Sequence, residues 1–162
     1  MTGPGASVSL KQLIPAGVCM QCQGCCRFQA QDSPWSPALL AAEQDRLGII
    51  GSKIPLVRDD AADIWYCRYL RVADTACRIY GQRPFECQLY PFLLNRCGKS
   101  VFLSLDLHCP YAHRHQQSGS LAEYLDALQQ YLEQPLVRQQ IKDNPQMIQT
   151  YEGVTNLREL AF

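Results

Sequence analysis

The sequence has no excess of charge of either sign and no long apolar run. Its 162 residues carry 15 basic and 15 acidic side chains, which gives a formal net charge of zero. This balance offers no electrostatic reason to expect nucleic acid or an anionic membrane as a partner. No segment approaches the length of a membrane span, and residues 1–18 lack the apolar stretch of a secretory signal. We therefore expect a cytoplasmic protein.

The signatures of common enzyme classes are also missing from the chain. It has no Gly-rich phosphate-binding loop, no recognisable pair of catalytic carboxylates and no Ser–His–Asp series. The composition, with 47% hydrophobic and 19% charged residues, is typical of a folded globular domain. The sequence therefore predicts a folded protein and leaves open whether it is an enzyme.

Cysteine is what the sequence has in excess. The nine cysteines are Cys19, Cys22, Cys25, Cys26, Cys67, Cys77, Cys87, Cys97 and Cys109. The first four fall within eight residues, and most are separated by two-residue gaps, a spacing that lets sulfurs from one tight loop converge on a metal ion or cluster. Disulfides are rare in a reducing cytosol, and an odd count leaves one thiol unpaired. We interpret the cysteines as metal ligands.

The remaining pattern predicts a small, loop-rich α+β fold, with helices packed around a cysteine-lined metal or cluster centre. A helix is expected over 38–47, with Ser36 as its N-cap. Residues 92–96 and 101–107 are expected to form a short β-hairpin.

A longer helix is expected near the C-terminus of the chain. Ser120 and Glu123 have the spacing of a capping box that would begin this helix. The apolar residues that follow fall on one helical face, which we interpret as core: Leu121, Tyr124, Leu125, Leu128 and Leu132. We expect a cysteine-cluster domain over residues 1–116, with its centre at 19–110, and a helical extension over 117–162 that packs on the same core.

Six sequence blocks, in this order, resemble the YkgJ-type cysteine-cluster family. They are Cys19-x-x-Cys-x-x-Cys-Cys26, Cys67-Arg-Tyr-Leu70, Cys77-Arg-Ile-Tyr80, Arg83-Pro-Phe-Glu-Cys87, Leu89-Tyr-Pro-Phe92 and Cys109-Pro110. The family is named for its CxxCxxCC motif and is described as a zinc- or iron-chelating domain. The resemblance implies a small bacterial metal-binding protein whose ligands are Cys19, Cys22, Cys25, Cys26, Cys67, Cys77, Cys87 and Cys109. Cys97 falls outside the pattern.

The identity of the metal and the number of sites stay open at this level. Eight thiolates exceed the four that one zinc ion or one 4Fe-4S cluster needs, so either there are two sites or some of the eight do not ligate. Cys25 and Cys26 are adjacent and point in different directions in most backbone conformations. One of them could therefore serve a second site or the core.

The spacing favours an iron–sulfur cluster over zinc. Cys19-x2-Cys22-x2-Cys25 is similar to the run found in bacterial ferredoxins, and Cys109-Pro110 is similar to its closing Cys-Pro. Structural zinc sites more often pair two Cys-x2-Cys knuckles, and this chain has no second one.

Three histidines and one arginine are further candidates near these sites. Cys109 and His113 stand in a Cys-x3-His relation that zinc accepts, although exposed histidines on a polar loop are the more frequent case for His108, His113 and His115. Arg83 could hydrogen-bond a cluster sulfur or hold a carboxylate near Glu86. The alternative is that Arg83-Pro84 forms a rigid turn packed by aromatic side chains.

Three functions are consistent with this sequence. The first is a metal- or cluster-binding module with a structural or electron-transfer role. The second is a redox enzyme, or an accessory factor to one, that acts through the cluster. The third is a metal carrier or a thiol redox sensor. No protein partner is indicated.

Removal of the metal should weaken the fold, because one centre would cross-link ligands that are distant in sequence. Structural zinc binding is worth about 10–16 kcal/mol, comparable with the stability of a whole domain. We expect the thermal melt of the reduced protein to fall after chelation, with loosening concentrated between residues 19 and 109. An unchanged melt would contradict this prediction.

Overall fold

The computed structural model describes residues 10–22 and 24–162, so the first nine residues of the predicted 1–116 domain lie outside it. The described chain combines short helices with three small antiparallel sheets. The α-helices are α1 (Ala16–Cys19), α2 (Ala41–Leu47), α3 (Phe85–Leu89), α4 (Pro110–His115), α5 (Gly119–Leu132) and α6 (Pro135–Lys142). Short 3-10 helices cover Tyr80–Gln82 and Pro145–Met147. The α+β class is therefore confirmed.

The strands are short and belong to three separate sheets. They are β1 (Arg27–Phe28), β2 (Leu56–Asp59), β3 (Ile64–Cys67), β4 (Leu70–Arg71), β5 (Ala76–Cys77), β6 (Phe92–Cys97), β7 (Ser100–Leu105) and β8 (Thr155–Leu160). The strand orders are β1-β3-β2, β4-β5 and β6-β7-β8. Cys67 and Cys77 lie in the first two sheets, and Cys26 lies directly before β1.

The predicted hairpin is confirmed in the third sheet. β6 and β7 pair from Phe92↔Leu105 to Cys97↔Ser100, and Gly98 takes a positive φ of 61° in the connecting turn. The third strand, β8, was not predicted and pairs with β7 on its other edge. Gln149 also bonds to the backbone of β6, so the C-terminal segment contacts both edges of the hairpin.

Two hydrophobic clusters form the core of the described residues. The larger one joins the hairpin, including Phe92 and Leu103, to α4, α5 and α6. All four leucines of the α5 stripe are buried, which confirms the core prediction for them, whereas Tyr124 is half-buried. The smaller cluster contains Phe28, Leu39, Ile49, Ile54, Cys67 and Leu70, with Cys26 and Cys87 packed against it. Cys67 and Cys87, which are distant from Cys26 in the sequence, therefore pack with it in one apolar cluster.

Both predicted helix caps are wrong. α2 begins at Ala41, because residues 37–39 instead pair with the segment 52–54 through Leu39 N to Ser52 O (2.8 Å) and Ile54 N to Pro37 O (2.9 Å). Ser36 is buried, and its hydroxyl donates to the Ile54 carbonyl. α5 begins at Gly119, and the cap is Ser118, whose Oγ accepts from Leu121 N at 3.2 Å.

A buried carboxylate joins the N-termini of α2 and α3. Glu43 Oε2 accepts from the Leu40 N–H at 2.9 Å, as an N3 glutamate does in a capping box. Its Oε1 accepts from the Phe85 N–H at 2.6 Å, at the first residue of α3. A negative charge near two helix N-termini is favoured by both helix dipoles. Glu43 therefore holds α3, which carries Cys87, in place.

None of the helices in the described part of the chain is both long and apolar enough to cross a membrane.

Substitution of Glu43 by alanine should destabilise the protein. The change leaves the Leu40 and Phe85 N–H groups without this acceptor, which should cost about 2 kcal/mol or more. Asp45→Ala is the matched control, because Asp45 lies on the same helix and is exposed, and it should change stability by less than about 0.5 kcal/mol. Urea unfolding measures both effects, and equal midpoints for the two variants would contradict this role of Glu43.

Candidate metal centre

The cysteine-rich segment 19–26, of which residues 19–22 and 24–26 are described, is anchored to two other parts of the chain. It begins at the end of α1, where Cys22 N donates to the Cys19 carbonyl at 3.1 Å. Thr75 Oγ1 donates to the Met20 carbonyl at 3.0 Å, and Cys67 N donates to the Cys26 carbonyl at 3.0 Å. The segment therefore lies against β3 and the turn between β4 and β5.

All eight cysteines of the predicted ligand set line one cavity of about 820 Å³. They are Cys19, Cys22, Cys25, Cys26, Cys67, Cys77, Cys87 and Cys109. Aromatic side chains, among them Trp35, Tyr69 and Tyr90, contribute to the same wall. Cysteines up to 90 positions apart thus line one space.

Cys97 lies elsewhere, at the exposed end of β6. Its sulfur accepts from the side-chain amides of Asn95 (3.6 Å) and Asn156 (3.3 Å). Its separation from the other thiols agrees with its position outside the sequence pattern.

Burial makes several of these thiols difficult to ionise in the absence of a cation. It raises the pKa of Cys67 to about 12 and the pKa of Cys87 well above its ordinary value. Cys25 and Cys26 share a side-chain hydrogen bond, which raises the pKa of Cys25 and lowers that of Cys26. Thiolates are the form that binds metal, so occupation of the cavity by a cation would oppose the effect of burial.

Arg83 brings a positive charge to the cavity, as the sequence suggested. Its Nη1 donates to Cys19 Sγ at 3.8 Å, its Nη2 to Gln12 Oε1 at 2.9 Å, and its Nε to the Tyr80 carbonyl at 3.2 Å. The guanidinium also lies 3.9 Å from the centre of the Tyr80 ring. These contacts hold the charge in place. Burial raises the pKa of Cys19 and of Cys77, and the Arg83 charge opposes part of that rise. The pKa of Cys26 is lowered chiefly by its hydrogen bond with Cys25, and the charges of Arg27 and Arg83 add to that effect.

Glu86 is a cavity residue that the sequence did not identify as a site residue in its own right. Its carboxylate accepts from the Ala38 N–H and from the Tyr151 hydroxyl, the latter at 3.0 Å. Burial raises the pKa of Glu86 to about 7. The only available signal was its place next to Cys87 in the Arg-Pro-Phe-Glu-Cys block.

A second polar group on the cavity wall is built around Asp106. Tyr90 Oη donates to Asp106 Oδ2 at 2.8 Å, and the backbone N–H and Nδ1 of His108 both lie within 2.9 Å of Oδ1. Of the three histidines considered from the sequence, His108 reaches the cavity. His115 instead stacks on Tyr111, and His113 is exposed on the surface.

The donor set suits zinc or iron, although the sulfurs are not at coordination distance. Thiolate donors select zinc and iron–sulfur clusters over hard cations such as magnesium. Within residues 10–22 and 24–162, no three Cys, His, Asp or Glu side chains are close enough together to hold one ion. The eight cysteines of the described chain therefore line one cavity without forming a coordination sphere in this structure.

Fold and cavity together define a mixed α+β protein that gathers distant thiols around one space. The chain belongs to the CxxCxxCC family, described as a "Putative zinc- or iron-chelating domain", whose profile matches residues 18–110. That match covers more than half of the chain and includes all eight cavity cysteines. No curated protein and no solved structure matches the chain.

The thiols of the reduced, metal-free protein should differ widely in reactivity. At pH 8 a pKa of about 12 leaves only about one in ten thousand Cys67 side chains as thiolate. We expect iodoacetamide to modify the exposed Cys97 much faster than Cys67, and the Cys67 rate to rise about tenfold per pH unit. Peptide mass spectrometry follows both sites, with urea-unfolded protein as the control in which they should react alike. Similar rates in the folded protein would contradict the burial of Cys67.

Proposed function

We propose that the protein binds an iron–sulfur cluster, or alternatively zinc, through its eight cavity cysteines. The proposal rests on where the nine cysteines lie relative to the cavity. The eight that fit the family pattern line one cavity, and Cys97 lies outside it. Packing alone does not explain why eight cysteines line the same cavity, because a cysteine that serves only as a small apolar residue gains nothing from other thiols nearby.

The protein would contribute ligands, charge and shielding to the centre. Four thiolates around one zinc ion or one oxidised 4Fe-4S cluster leave a net negative charge, and the guanidinium of Arg83 lies where it offsets that charge. Aromatic side chains in the wall limit the access of water. When bound, an iron–sulfur cluster supplies one-electron redox chemistry, whereas zinc supplies a structural cross-link.

The position of Cys109 supports iron–sulfur over zinc. Cys109 lies directly before Pro110, the first residue of α4, and interacts electrostatically with Cys22. Cys19 interacts electrostatically with both Cys22 and Cys109. The closing Cys-Pro of the sequence therefore lies beside the Cys-x2-Cys-x2-Cys run, the combination that is similar to bacterial ferredoxins.

Thiol redox sensing is the second candidate, and the Cys25–Cys26 pair favours it. The hydrogen bond between these adjacent side chains lowers the pKa of Cys26. A thiolate that forms more readily is also oxidised more readily by hydrogen peroxide, which takes two electrons and leaves as water while the sulfur becomes a sulfenic acid. That sulfur would no longer be a thiolate ligand, and the metal would be released.

We also propose a reducing, cytoplasmic location and a single core for the whole chain. All nine cysteines are free, as expected of thiols kept reduced for metal binding. The α5 leucines share one hydrophobic cluster with Phe85 and Cys109, which supports the interpretation of residues 117–162 as an extension of the cysteine domain.

Elemental analysis of anaerobically purified protein tests the proposal. We expect iron with acid-labile sulfide, a brown colour and an absorption spectrum that bleaches on reduction. Stoichiometric zinc in a colourless protein would favour the alternative metal. Cys97→Ser is the matched control and should retain the full metal content. Protein that stays metal-free after reconstitution with iron and sulfide, and after incubation with zinc, would overturn the proposal.

A further inference from the structure

We infer that the eight cavity cysteines form two separate four-thiolate centres. The inner set is Cys26, Cys67, Cys77 and Cys87, and the outer set is Cys19, Cys22, Cys25 and Cys109. The inference rests on the proposed metal binding and adds to it the number of centres and their ligands. Each set supplies the four thiolates that one zinc ion or one cubane cluster takes.

Backbone pairing assembles three members of the inner set. Cys67 N donates to the Cys26 carbonyl at 3.0 Å, where β1 begins beside β3. Three residues after Cys67 the chain enters β4, in which Leu70 pairs with Cys77 of β5. Both connections are short and hydrogen-bonded, so main-chain contacts bring the backbones of Cys26, Cys67 and Cys77 near one another.

Side-chain packing adds Cys87 to the inner set. Cys87 lies on α3 and packs, with Cys26 and Cys67, in the smaller hydrophobic cluster. Cys26 interacts electrostatically with each of the other three, Cys67 interacts with Cys77, and Cys87 interacts with Cys67. Cys26 also acts on Cys19 of the outer set, so the backbone pairing and the packing, rather than the charges, define the inner set.

The outer set lies at the other end of the 19–26 segment. Cys19 and Cys22 are joined by one turn, in which Cys22 N donates to the Cys19 carbonyl. Cys109 belongs to the larger hydrophobic cluster, and its electrostatic neighbours among the thiols are Cys22 and Cys19. Cys109 and Cys87 thus approach the segment from different parts of the core.

Cys25 and Cys26 stand at the boundary between the two sets. They share a hydrogen bond, and Cys25 interacts with Cys19 of the outer set as well as with Cys87. Cys26 already completes the inner set through its backbone bond to Cys67. Cys25 therefore supplies the fourth thiolate of the outer set, and the double cysteine of the motif serves both centres.

Zinc binding by paired variants tests the assignment. Zinc is added anaerobically to the reduced protein in the presence of a competing chelator, and tightly bound zinc is counted per chain. We expect about two ions for the wild type and for Cys97→Ser, since eight thiolates make two four-coordinate sites. The inner pair of changes, C67S with C77S, and the outer pair, C22S with C109S, should each leave about one ion.

A pair of changes that crosses the sets separates this assignment from other groupings. C22S with C67S removes one thiolate from each centre and should leave no tightly bound zinc. The grouping would be overturned if this variant retained one zinc ion while the C22S/C109S double variant lost both zinc ions. Loss of all zinc in every double variant would indicate one shared centre and would also overturn it. Failure of the wild type to bind any metal would instead overturn the proposed function itself.

A measurement on the unmutated chain avoids variants that do not fold. Reduced wild-type protein loaded with cadmium-113 should give two resonances of equal area, both at tetrathiolate positions and without cadmium–cadmium coupling. A single resonance, or coupling through a shared sulfur, would overturn two separate centres even if every cysteine variant failed to fold.

Discussion

Mutual repulsion between thiolates that line one cavity is the constraint on which this structure depends. Burial already opposes ionisation, raising the pKa of Cys67 to about 12, and each further thiolate adds repulsion. Three arginines, Arg27, Arg83 and Arg114, line the cavity together with the eight cysteines, and Arg83 donates to Cys19. A cavity of this kind is stable either with its thiols protonated or with a cation among them. The ionisation of the ligands and the binding of metal are therefore one coupled process.

The scaffold around the cavity positions the thiols through contacts that involve no sulfur. Glu43 joins the first turns of α2 and α3, and Glu86 links the same helix to Ala38 and Tyr151. These buried carboxylates fix α3, and with it Cys87. The family match ends at residue 110, yet the larger hydrophobic cluster continues into α5, α6 and β8. Residues beyond the match thus support the wall that carries Cys109.

Several elements were predictable because their signals are local. The hairpin follows from an alternating strand beside a glycine turn, and the α5 leucines follow from helical spacing. The two caps were not predictable in the same way. Ser36 has the right residue type for a cap, but its hydroxyl bonds to Ile54 instead, because residues 37–39 pair with a segment 15 positions away. Such long-range pairing outweighs a capping preference of about 1 kcal/mol.

The amino-acid sequence by itself determined which cysteines belong to the family pattern. The spacing of Cys19, Cys22, Cys25 and Cys26, the order of the later cysteine blocks and the exclusion of Cys97 are all properties of the linear chain. Only the tertiary structure decided which sulfurs become neighbours. Cys26 lies beside Cys67 because β1 pairs with β3 immediately after Cys26, and that pairing places Arg27 opposite Tyr66, a residue distant in the sequence. Spacing along a chain contains no information about such contacts, since they arise from the packing of distant segments.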